Sequence, residues 1–396
     1  MSRRSTAAAA ALPASTGLHV VGLDVAKDTL AACLATLTDA RTLRIVHQPA
    51  TDFVNTPTGI ALLIKWLRRY TPAAAPLRVV CEATGTYHEE LAYTLHAEGI
   101  ELSVCQPLQA KQFARSTSTK SKTDALDARL LAQFGLERAL PLWQPFHPLQ
   151  RTLRAVLREQ ATVRTLRAQV LVRLHAYGHS HQPNEQIIKR LKEQQAFCET
   201  QIADITTQLI DLVAQHEPLR QVVQRLQTIP GLGFQTVLTI LAETNGFTTT
   251  TNARQLLSYA GLDVVQGQSG TSVRLRARIS KRGNAHLRTA LYLPAVSALR
   301  HNPQQAAFFE RLRLRQPTGK GPVVAVMRKL LALAYSLYQS KQSYDPTRSQ
   351  AAHRTKKIAA TDNAAAATQD GETEVAPPIL APKVRKKTPK FATLTQ

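Results

Sequence analysis

Short apolar runs alternate with amphipathic stretches in the N-terminal third of the chain. Residues 18–36 are strand-like around Asp24, while 59–70 has the apolar spacing of a helix. Together the segments follow the order strand, strand, helix, strand, helix, strand, over 18–36, 40–50, 59–70, 76–85, 86–99 and 100–107. This order predicts an α/β domain with a mixed sheet.

The pattern changes near residue 150. Two long helical stretches follow, broken at 178–184, and they predict an antiparallel helical hairpin of coiled-coil type. Later helical segments flank an irregular Gly/Ser/Arg-rich stretch at 264–284 and predict a mostly α-helical C-terminal domain. The predicted organisation is a disordered leader at 1–16, an α/β domain at 17–145, the hairpin at 146–225, the C-terminal domain at 226–341 and a disordered basic tail at 342–396.

Charge narrows the class of protein. The chain has 396 residues with 50 Lys and Arg against 27 Asp and Glu, a formal net charge of +23. The tail contributes only +4, so +19 belongs to the rest of the chain. Such a surplus favours nucleic acid as the partner. The arginines of the first hairpin arm fit this, although they fit the solvated face of a dimerising helix equally well.

Cysteine usage and hydropathy exclude other classes. Cys33, Cys81, Cys105 and Cys198 form no CxxC pair, and three of them lie in strand-like runs. We therefore expect buried, reduced thiols, as in cytosolic proteins, and no zinc site. No segment reaches the roughly 18 apolar residues of a membrane helix.

Four acidic residues form the candidate catalytic group. Asp24 lies within the first strand, Glu82 ends the strand at 76–85, and Asp124 and Asp127 share one face of a helix. Carboxylates from strands and a helix can converge beside a sheet, where oxygen clusters suit Mg²⁺ or Mn²⁺. The alternatives are ordinary ones: Asp124 could cap a helix, and Asp127 could pair with Arg129 or Lys122.

Two segments of the C-terminal region could bind phosphate. Gly231 and Gly233 lie in a Pro-Gly-Leu-Gly turn between helical runs, which resembles a helix-hairpin-helix element but could be a plain turn. The second segment, 264–284, contains Ser269 and many cations. Its candidate nucleic-acid contacts, with those of the following helix, are Gly270, Arg274, Arg276, Arg278, Lys281, Arg282, Asn284 and Arg288. Asn284 could instead be the N-cap of that helix.

Ordered blocks of the chain resemble one family. VGLDVAKDTL, CEATGTYHEEL and KSKTDALDARLLA look like the D, E, D, D blocks of the DEDD transposases of insertion sequences (the one-ten family), whose relatives include the Piv DNA invertases. IPGLGFQTVLTILAE and the stretch SYAGLDVVQGQSGTSVRLRARISKRGNAHLRTALY resemble the C-terminal transposase domain of that family. The match spans roughly 18–340.

The resemblance leads to expectations about fold, cofactor, nucleophile and partners that the residues alone do not provide. It implies a RuvC-like, RNase H fold for the N-terminal domain, and Mg²⁺ held by Asp24, Glu82, Asp124 and Asp127. It implies that Ser269 is the catalytic nucleophile. It also implies action on donor and target DNA by a homo-oligomer, a dimer or tetramer, with a structured bridge RNA from the element.

Other functions and nucleophiles stay open. A RuvC-like junction nuclease would use the metal site alone, and a non-catalytic nucleic-acid-binding protein would need only the charge. Ser269 could lie in a plain turn, because a Ser-Gly pair in a loop is common. Ser272 is its nearest rival as nucleophile, and Ser280 is a weaker one. Candidate tyrosine nucleophiles, in apolar helical patterns more typical of a core, are Tyr87, Tyr259 and Tyr292.

Overall fold

The structure is a computed structural model of the chain. It describes residues 18–39, 44–70, 77–117, 121–266, 268–269, 273–274, 278–316 and 319–347. The chain divides into two compact units, one up to Pro148 and one from Leu149 onward. The predicted leader and most of the predicted tail lie outside the described residues.

The first unit is an α/β domain. Its elements are β1 (His19–Val25), β2 (Thr29–Asp39), β3 (Arg44–His47), β4 (Thr51–Val54), α1 (Pro57–Tyr70), β5 (Leu77–Glu82), α2 (Glu89–Ala97), β6 (Glu101–Cys105), α3 (Pro107–Ser116) and α4 (Asp124–Glu137). The strands form one sheet in the order β3-β2-β1-β5-β6, with β4 also paired to β2. β1, β5 and β6 run parallel, while β2 is antiparallel to β1, β3 and β4. The predicted mixed sheet is confirmed.

Apolar side chains cover both faces of this sheet. On one face β1 and β2 pack against α1 and α2 through residues such as Leu23, Leu63 and Leu91. On the other face Val20, Val80 and Phe134 join β1 and β5 to α4. Cys33, Cys81, Cys105 and Cys198 are buried and free, as expected from the sequence.

The second unit is mainly helical. Its helices are α5 (Pro148–Gly178), α6 (Glu185–Ala214), α7 (Glu217–Gln227), α8 (Phe234–Glu243), α9 (Ala253–Tyr259), α10 (Ala285–His301), α11 (Pro303–Arg315) and α12 (Gly321–Ser340). One apolar core joins the base of α5 to the later helices, for example through Leu153, Leu241 and Leu291. In the part of the chain that the structure describes, no helix is both long and apolar enough to cross a membrane.

The predicted helical hairpin has two antiparallel arms, α5 and α6. Gln160 donates to Thr206 at 2.9 Å, and Arg167 pairs with Glu199 at 2.7 Å. Positions later in α5 thus meet positions earlier in α6, which is the antiparallel arrangement. The coiled-coil character of this pair stays a prediction.

The stretch 264–284 was expected to be irregular, but its described residues include four short strands. β7 (Val264–Val265) pairs antiparallel with β10 (Arg278–Ile279), and β8 (Gln268–Ser269) pairs antiparallel with β9 (Val273–Arg274). We call these four strands the serine ribbon. The expectation of irregular structure was wrong for these described strand residues; Val264, Val265, Val273 and Ile279 favour extended pairing.

Other differences from the sequence expectations are local. The strand-like run at 18–36 is a hairpin of two strands, and β4 was not anticipated. Tyr87 was expected in a helix, but α2 begins only at Glu89 and Tyr87 is exposed in the preceding turn. The first residues of the expected tail belong to the second unit, since Tyr344 packs on its core and its backbone N–H donates to Thr228 at 2.8 Å.

Candidate active site

Close packing of α4 on β1 brings the helix to the sheet. A Cβ atom at Gly22 would stand 2.0 Å from the Ala128 carbonyl oxygen and 2.3 Å from the Ala132 nitrogen. Glycine at this position therefore lets the helix backbone lie directly on the strand. The consequence is that the first turn of α4 lies beside the end of β1.

Two of the predicted acids come from neighbouring parallel strands. Leu23 of β1 pairs with Cys81 of β5, so Asp24 and Glu82 follow side by side at the carboxyl ends of these strands. Both side chains are partly buried. Carboxyl ends of adjacent parallel strands are where α/β sheets place their sites.

The other two acids lie in the first turn of α4. Asp124 is the first residue of the helix and is exposed, while Asp127 is partly buried. The alternative that Asp124 caps the helix is wrong, because Thr123 is the N-cap and accepts a hydrogen bond from the Leu126 nitrogen at 3.3 Å. Among the described residues, no ion pair within 4.0 Å joins Asp127 to Arg129 or Lys122.

The electrostatics show that these acids crowd one another. Burial, and then the charges of Asp127, Asp124 and Glu82, raise the pKa of Asp24 to about 6. Burial and Asp127 also raise the pKa of Glu82 above its ordinary value, against a weaker opposing effect of Lys122. Like charges placed together without a matching counter-charge favour protonation or a bound cation.

A cavity of about 440 Å³ opens beside the acids. Asp24, Glu82 and Asp127 line it, so the structure brings three of the four predicted residues to one pocket. The remaining lining is apolar or cationic apart from the hydroxyl of Ser121: Pro107, Ala110, Lys111, Phe113, Ala114, Arg115, Ser121, Lys122, Leu130, Leu131 and Phe134. We call this cavity the acidic pocket.

The donor set of the acidic pocket fits a hard divalent cation. All four acids offer carboxylate oxygens, which Mg²⁺ and Mn²⁺ prefer, and their crowding leaves negative charge to be neutralised. Across the described ranges, no three His, Cys, Asp or Glu side chains are grouped closely enough to hold a metal ion as they stand. The four-carboxylate metal site is therefore a proposal.

The predicted nucleophile lies in the second unit. The backbone of Ser269 pairs with that of Val273 in the serine ribbon. The side chains of Ser269 and Arg274, and all of Gly270, Ser272 and Arg276, lie outside the described residues. Of the rivals, Ser280 donates to Asp263 at 2.5 Å, and Tyr259 donates to the Glu243 carbonyl at 2.9 Å. Both hydroxyls thus already serve contacts within the protein.

The predicted phosphate contacts fall into two groups. Gly231 packs against Pro294 and Ala298 of α10, and Gly233 is the open N-cap position of α8. Asn284 is the N-cap of α10, as the alternative interpretation held, and accepts from the Leu287 nitrogen at 3.1 Å.

The cations near the ribbon differ in exposure. Arg278, Lys281 and Arg282 are exposed, whereas Arg288 donates to the Ala260 and Gly283 carbonyls at 2.9 and 3.0 Å. DNA contact by any of these residues stays a prediction.

Sequence reasoning missed two groups of residues. Lys111 and Arg115 line the acidic pocket from α3, and their i, i+4 spacing after a strand was a readable signal. Glu243 is buried, with only 2% exposure, and pairs with Arg158. A lone acid in the apolar run of α8 was the signal for this second group.

Two protein-family models match this chain. The DEDD transposase model of the IS110 group, described as "Transposase", matches residues 21–183, and the model described as "Transposase IS116/IS110/IS902 family" matches 223–310. Together the two matches cover the acids and the serine ribbon in chain order. The chain is a DNA-recombination enzyme. It belongs to the transposase family of IS110-type insertion sequences.

Relatives with curated descriptions extend along most of the chain. The "Pilin gene-inverting protein" of Moraxella bovis is 29% identical over 344 residues, covering 82% of this chain and 97% of that protein. The protein of the same name from Moraxella lacunata is 29% identical over 342 residues, with the same coverage. The "Transposase for insertion sequence element IS1111A" of Coxiella burnetii is 32% identical over 123 residues, 30% of this chain and 33% of that protein.

Among solved structures, RuvC of Thermus thermophilus matches 32% of this chain and 100% of its own length. The sequence identity is 12% and the TM-score 0.26.

Proposed function

We propose that this enzyme is a DNA transposase or site-specific recombinase that cuts and rejoins DNA through Ser269. The carboxylates of Asp24, Glu82, Asp124 and Asp127 assist by holding Mg²⁺ or Mn²⁺. The observation that carries the proposal is that burial and the crowding of these acids raise the pKa of Asp24 to about 6, in a chain of net charge +23. A strongly cationic protein that gathers its scarce acids at one pocket needs a cation there.

The acidic pocket suits a phosphodiester strand. A divalent ion supplies charge stabilisation at phosphate oxygens when it is bound. Lys111, Arg115 and Lys122 line the same cavity and can neutralise the phosphates on either side of the reacting one. The apolar wall that includes Leu130 and Leu131 excludes water from one side of the strand.

The serine reaction consists of two balanced transfers. In the first, Ser269 Oγ bonds to phosphorus, the phosphodiester bond to the neighbouring nucleotide breaks, and the departing oxygen receives a proton as the serine loses its own. In the second, a strand-end hydroxyl attacks the serine-linked phosphate, and the serine recovers its proton. The DNA bond is thereby rebuilt without an external energy source.

The family resemblance adds the partners. Donor and target DNA, a structured bridge RNA and a dimeric or tetrameric assembly are parts of this proposal, and the charge outside the tail supports the nucleic-acid partners. Exposed apolar side chains on the hairpin support assembly there, for example Leu166 at 48%, Val172 at 70% and Phe197 at 66% exposure.

Trapping the covalent intermediate tests the nucleophile. A suicide DNA substrate carrying the flanking DNA of the element is incubated with the protein, the RNA transcribed from the element and Mg²⁺, and the adduct is mapped by mass spectrometry. We expect a peptide containing Ser269 joined to DNA, absent in Ser269→Ala. Ser272→Ala tests the nearest rival, and Ser258→Ala, an exposed α9 position, is the matched control.

A junction nuclease is the alternative, since the acids lie in a unit that does not contain the serine ribbon. Such an enzyme would hydrolyse DNA without a covalent adduct. A Ser269→Ala protein that still forms the adduct and recombines DNA would rule out Ser269, and one that still cuts DNA without any adduct would favour the nuclease.

A further inference from the structure

A second carboxylate site lies at the end of α8, in the second unit. Glu243 is buried, and its two oxygens accept from Arg158 at 2.8 and 2.9 Å. Arg154 lies 3.7 Å away, and the Asn284 amide donates at 2.7 Å. We call Glu243, Arg154, Arg158, Asn284 and Tyr259 the anchor cluster.

Asn284 has two roles in this cluster. Its side-chain oxygen caps α10, while its amide nitrogen donates to Glu243. Its backbone nitrogen donates to the Tyr259 carbonyl at 2.8 Å, and the Tyr259 hydroxyl donates to the Glu243 carbonyl. The start of α10 is therefore tied to α8 and to the end of α9.

The serine ribbon begins and ends beside the anchor cluster. Its first strand follows α9 and its last strand precedes α10, so both ends of the ribbon join the anchored helices. Ser280 donates to Asp263 through its hydroxyl at 2.5 Å and its backbone nitrogen at 2.9 Å, which closes the root of the ribbon.

Close packing restricts movement at the root of the ribbon, the segment where 260–263 meets 280–284. Gly283 has φ +151°, and a Cβ there would stand 2.3 Å from the Tyr259 carbonyl oxygen. Arg288 donates to the carbonyls of Ala260 and Gly283, one on each side of the root. A shift of α10 relative to α9 would break these contacts together.

We infer that Glu243 positions the nucleophile: through Asn284 it fixes the root of the serine ribbon and so sets the approach of Ser269 to DNA. The inference rests on the proposed function for the role of Ser269. Arg158 lies on α5, an arm of the hairpin, so its hydrogen bonds to Glu243 connect α5 to the anchor cluster as well. Glu243 is a positioning residue and does not itself touch DNA.

Substitutions of Asn284 separate positioning from capping. Ser, Asp and Asn are all good N-caps, so a role in capping alone predicts equal behaviour for Asn284→Ser and Asn284→Asp. Positioning predicts an order, because Ser lacks the amide donor and Asp sets a second negative charge against Glu243. The wild type should be fastest, Asn284→Ser slower and Asn284→Asp slowest.

The experiment uses the full chain with Glu243→Gln, Asn284→Ser and Asn284→Asp. The matched controls are Asn252→Ser, at another helix N-cap, and Glu310→Gln, which removes the exposed i, i+3 ion pair with Arg313. Three quantities are measured per folded molecule: the single-turnover rate of the Ser269–DNA adduct at saturating DNA, the DNA affinity, and hydrogen exchange of the amides in 264–279.

We expect the adduct rate to fall by about 10- to 100-fold in the anchor variants, as small misplacements of reacting groups do. Exchange in the ribbon should accelerate in the same variants, with DNA affinity and both controls unchanged. Unchanged ribbon exchange in all three anchor variants would overturn the inference, and so would weaker DNA binding as the sole effect of Asn284→Ser. If the wild type formed no adduct at Ser269, the proposed function would fail, while ribbon exchange would still decide the positioning.

Discussion

Two carboxylate sites in this protein show how one residue type is used in opposite ways. In the acidic pocket, Asp24 and Glu82 face other acids, and burial and this crowding raise the pKa of both. In the anchor cluster, burial would raise the pKa of Glu243, but hydrogen bonds from Arg158 and Asn284 outweigh it and lower the pKa. In the first site the lysines and arginine of the lining do not offset burial and the repulsion between the acids, whereas in the second site Arg158 and Asn284 offset the burial of Glu243.

The difference separates a reaction site from a structural support. A buried carboxylate already matched by cations gains little from an added metal ion, whereas a crowded set of carboxylates gains a great deal. Substitutions in the acidic pocket should therefore affect recombination and metal binding, whereas substitutions in the anchor cluster should affect stability and the placement of the ribbon.

The largest effect is expected from Asp24→Asn. Recombination in cells, with the flanking DNA of the element supplied, should fall to background because one of the four carboxylates is lost. The fold should persist, since the change removes a charge that repels its neighbours. Asp28→Asn, an exposed position in the turn of the same hairpin, should recombine like the wild type. Full activity of Asp24→Asn would remove this residue from the proposed site.

A smaller effect, on stability, is expected at the anchor cluster. Glu243→Ala leaves Arg158 and Arg154 without their buried partner, and breaking a buried ion pair costs about 3–5 kcal/mol. We expect the lower end, about 3 kcal/mol, because Arg158 is itself 38% exposed. Glu310→Ala removes an exposed pair and should cost about 0–1 kcal/mol. Chemical denaturation of both variants measures the difference, and equal costs would contradict it.

Much of the first unit could be predicted from the sequence. Apolar periodicity indicated the strands and helices. An acid within a strand marked Asp24, and an acid at a strand end marked Glu82. The approach of α4 could not be predicted in this way, because it depends on the absence of a side chain at Gly22 on a strand surface. No local sequence pattern indicates which helix will pack against Gly22.

The anchor cluster was harder to predict for a related reason. Arg158, Glu243 and Asn284 are separated by tens of residues, so only the tertiary fold brings them together. The sequence showed each of them as an ordinary residue: an arginine on a basic helix, an acid at a helix end, and an N-cap. Only the N-cap role of Asn284 was anticipated and is confirmed.

The finest distinction between the sites is the sign of their pH dependence. The folded pKa of Asp24, about 6, lies above its ordinary value of 3.8, so its ionisation opposes folding. Without divalent metal, Asp24→Asn should gain stability over the wild type as pH rises from about 4 to 6 and keep that gain above. The folded pKa of Glu243 lies below its ordinary value of 4.5, so its contribution is present above that pH and is lost as pH falls through the lower folded value. Glu243→Gln should therefore differ most from the wild type at neutral pH and least in acid.

Added Mg²⁺ should separate the two sites further, because a ligand of the folded state at a hundredfold excess over its Kd adds about 2.7 kcal/mol of stability. It should stabilise the wild type and Glu243→Gln alike, and Asp24→Asn much less. Urea unfolding from below pH 4 up to pH 8, with and without Mg²⁺, measures the stability of all three proteins. The same pH slope for both substitutions would mean that the two carboxylate sites do not differ in the way their surroundings indicate.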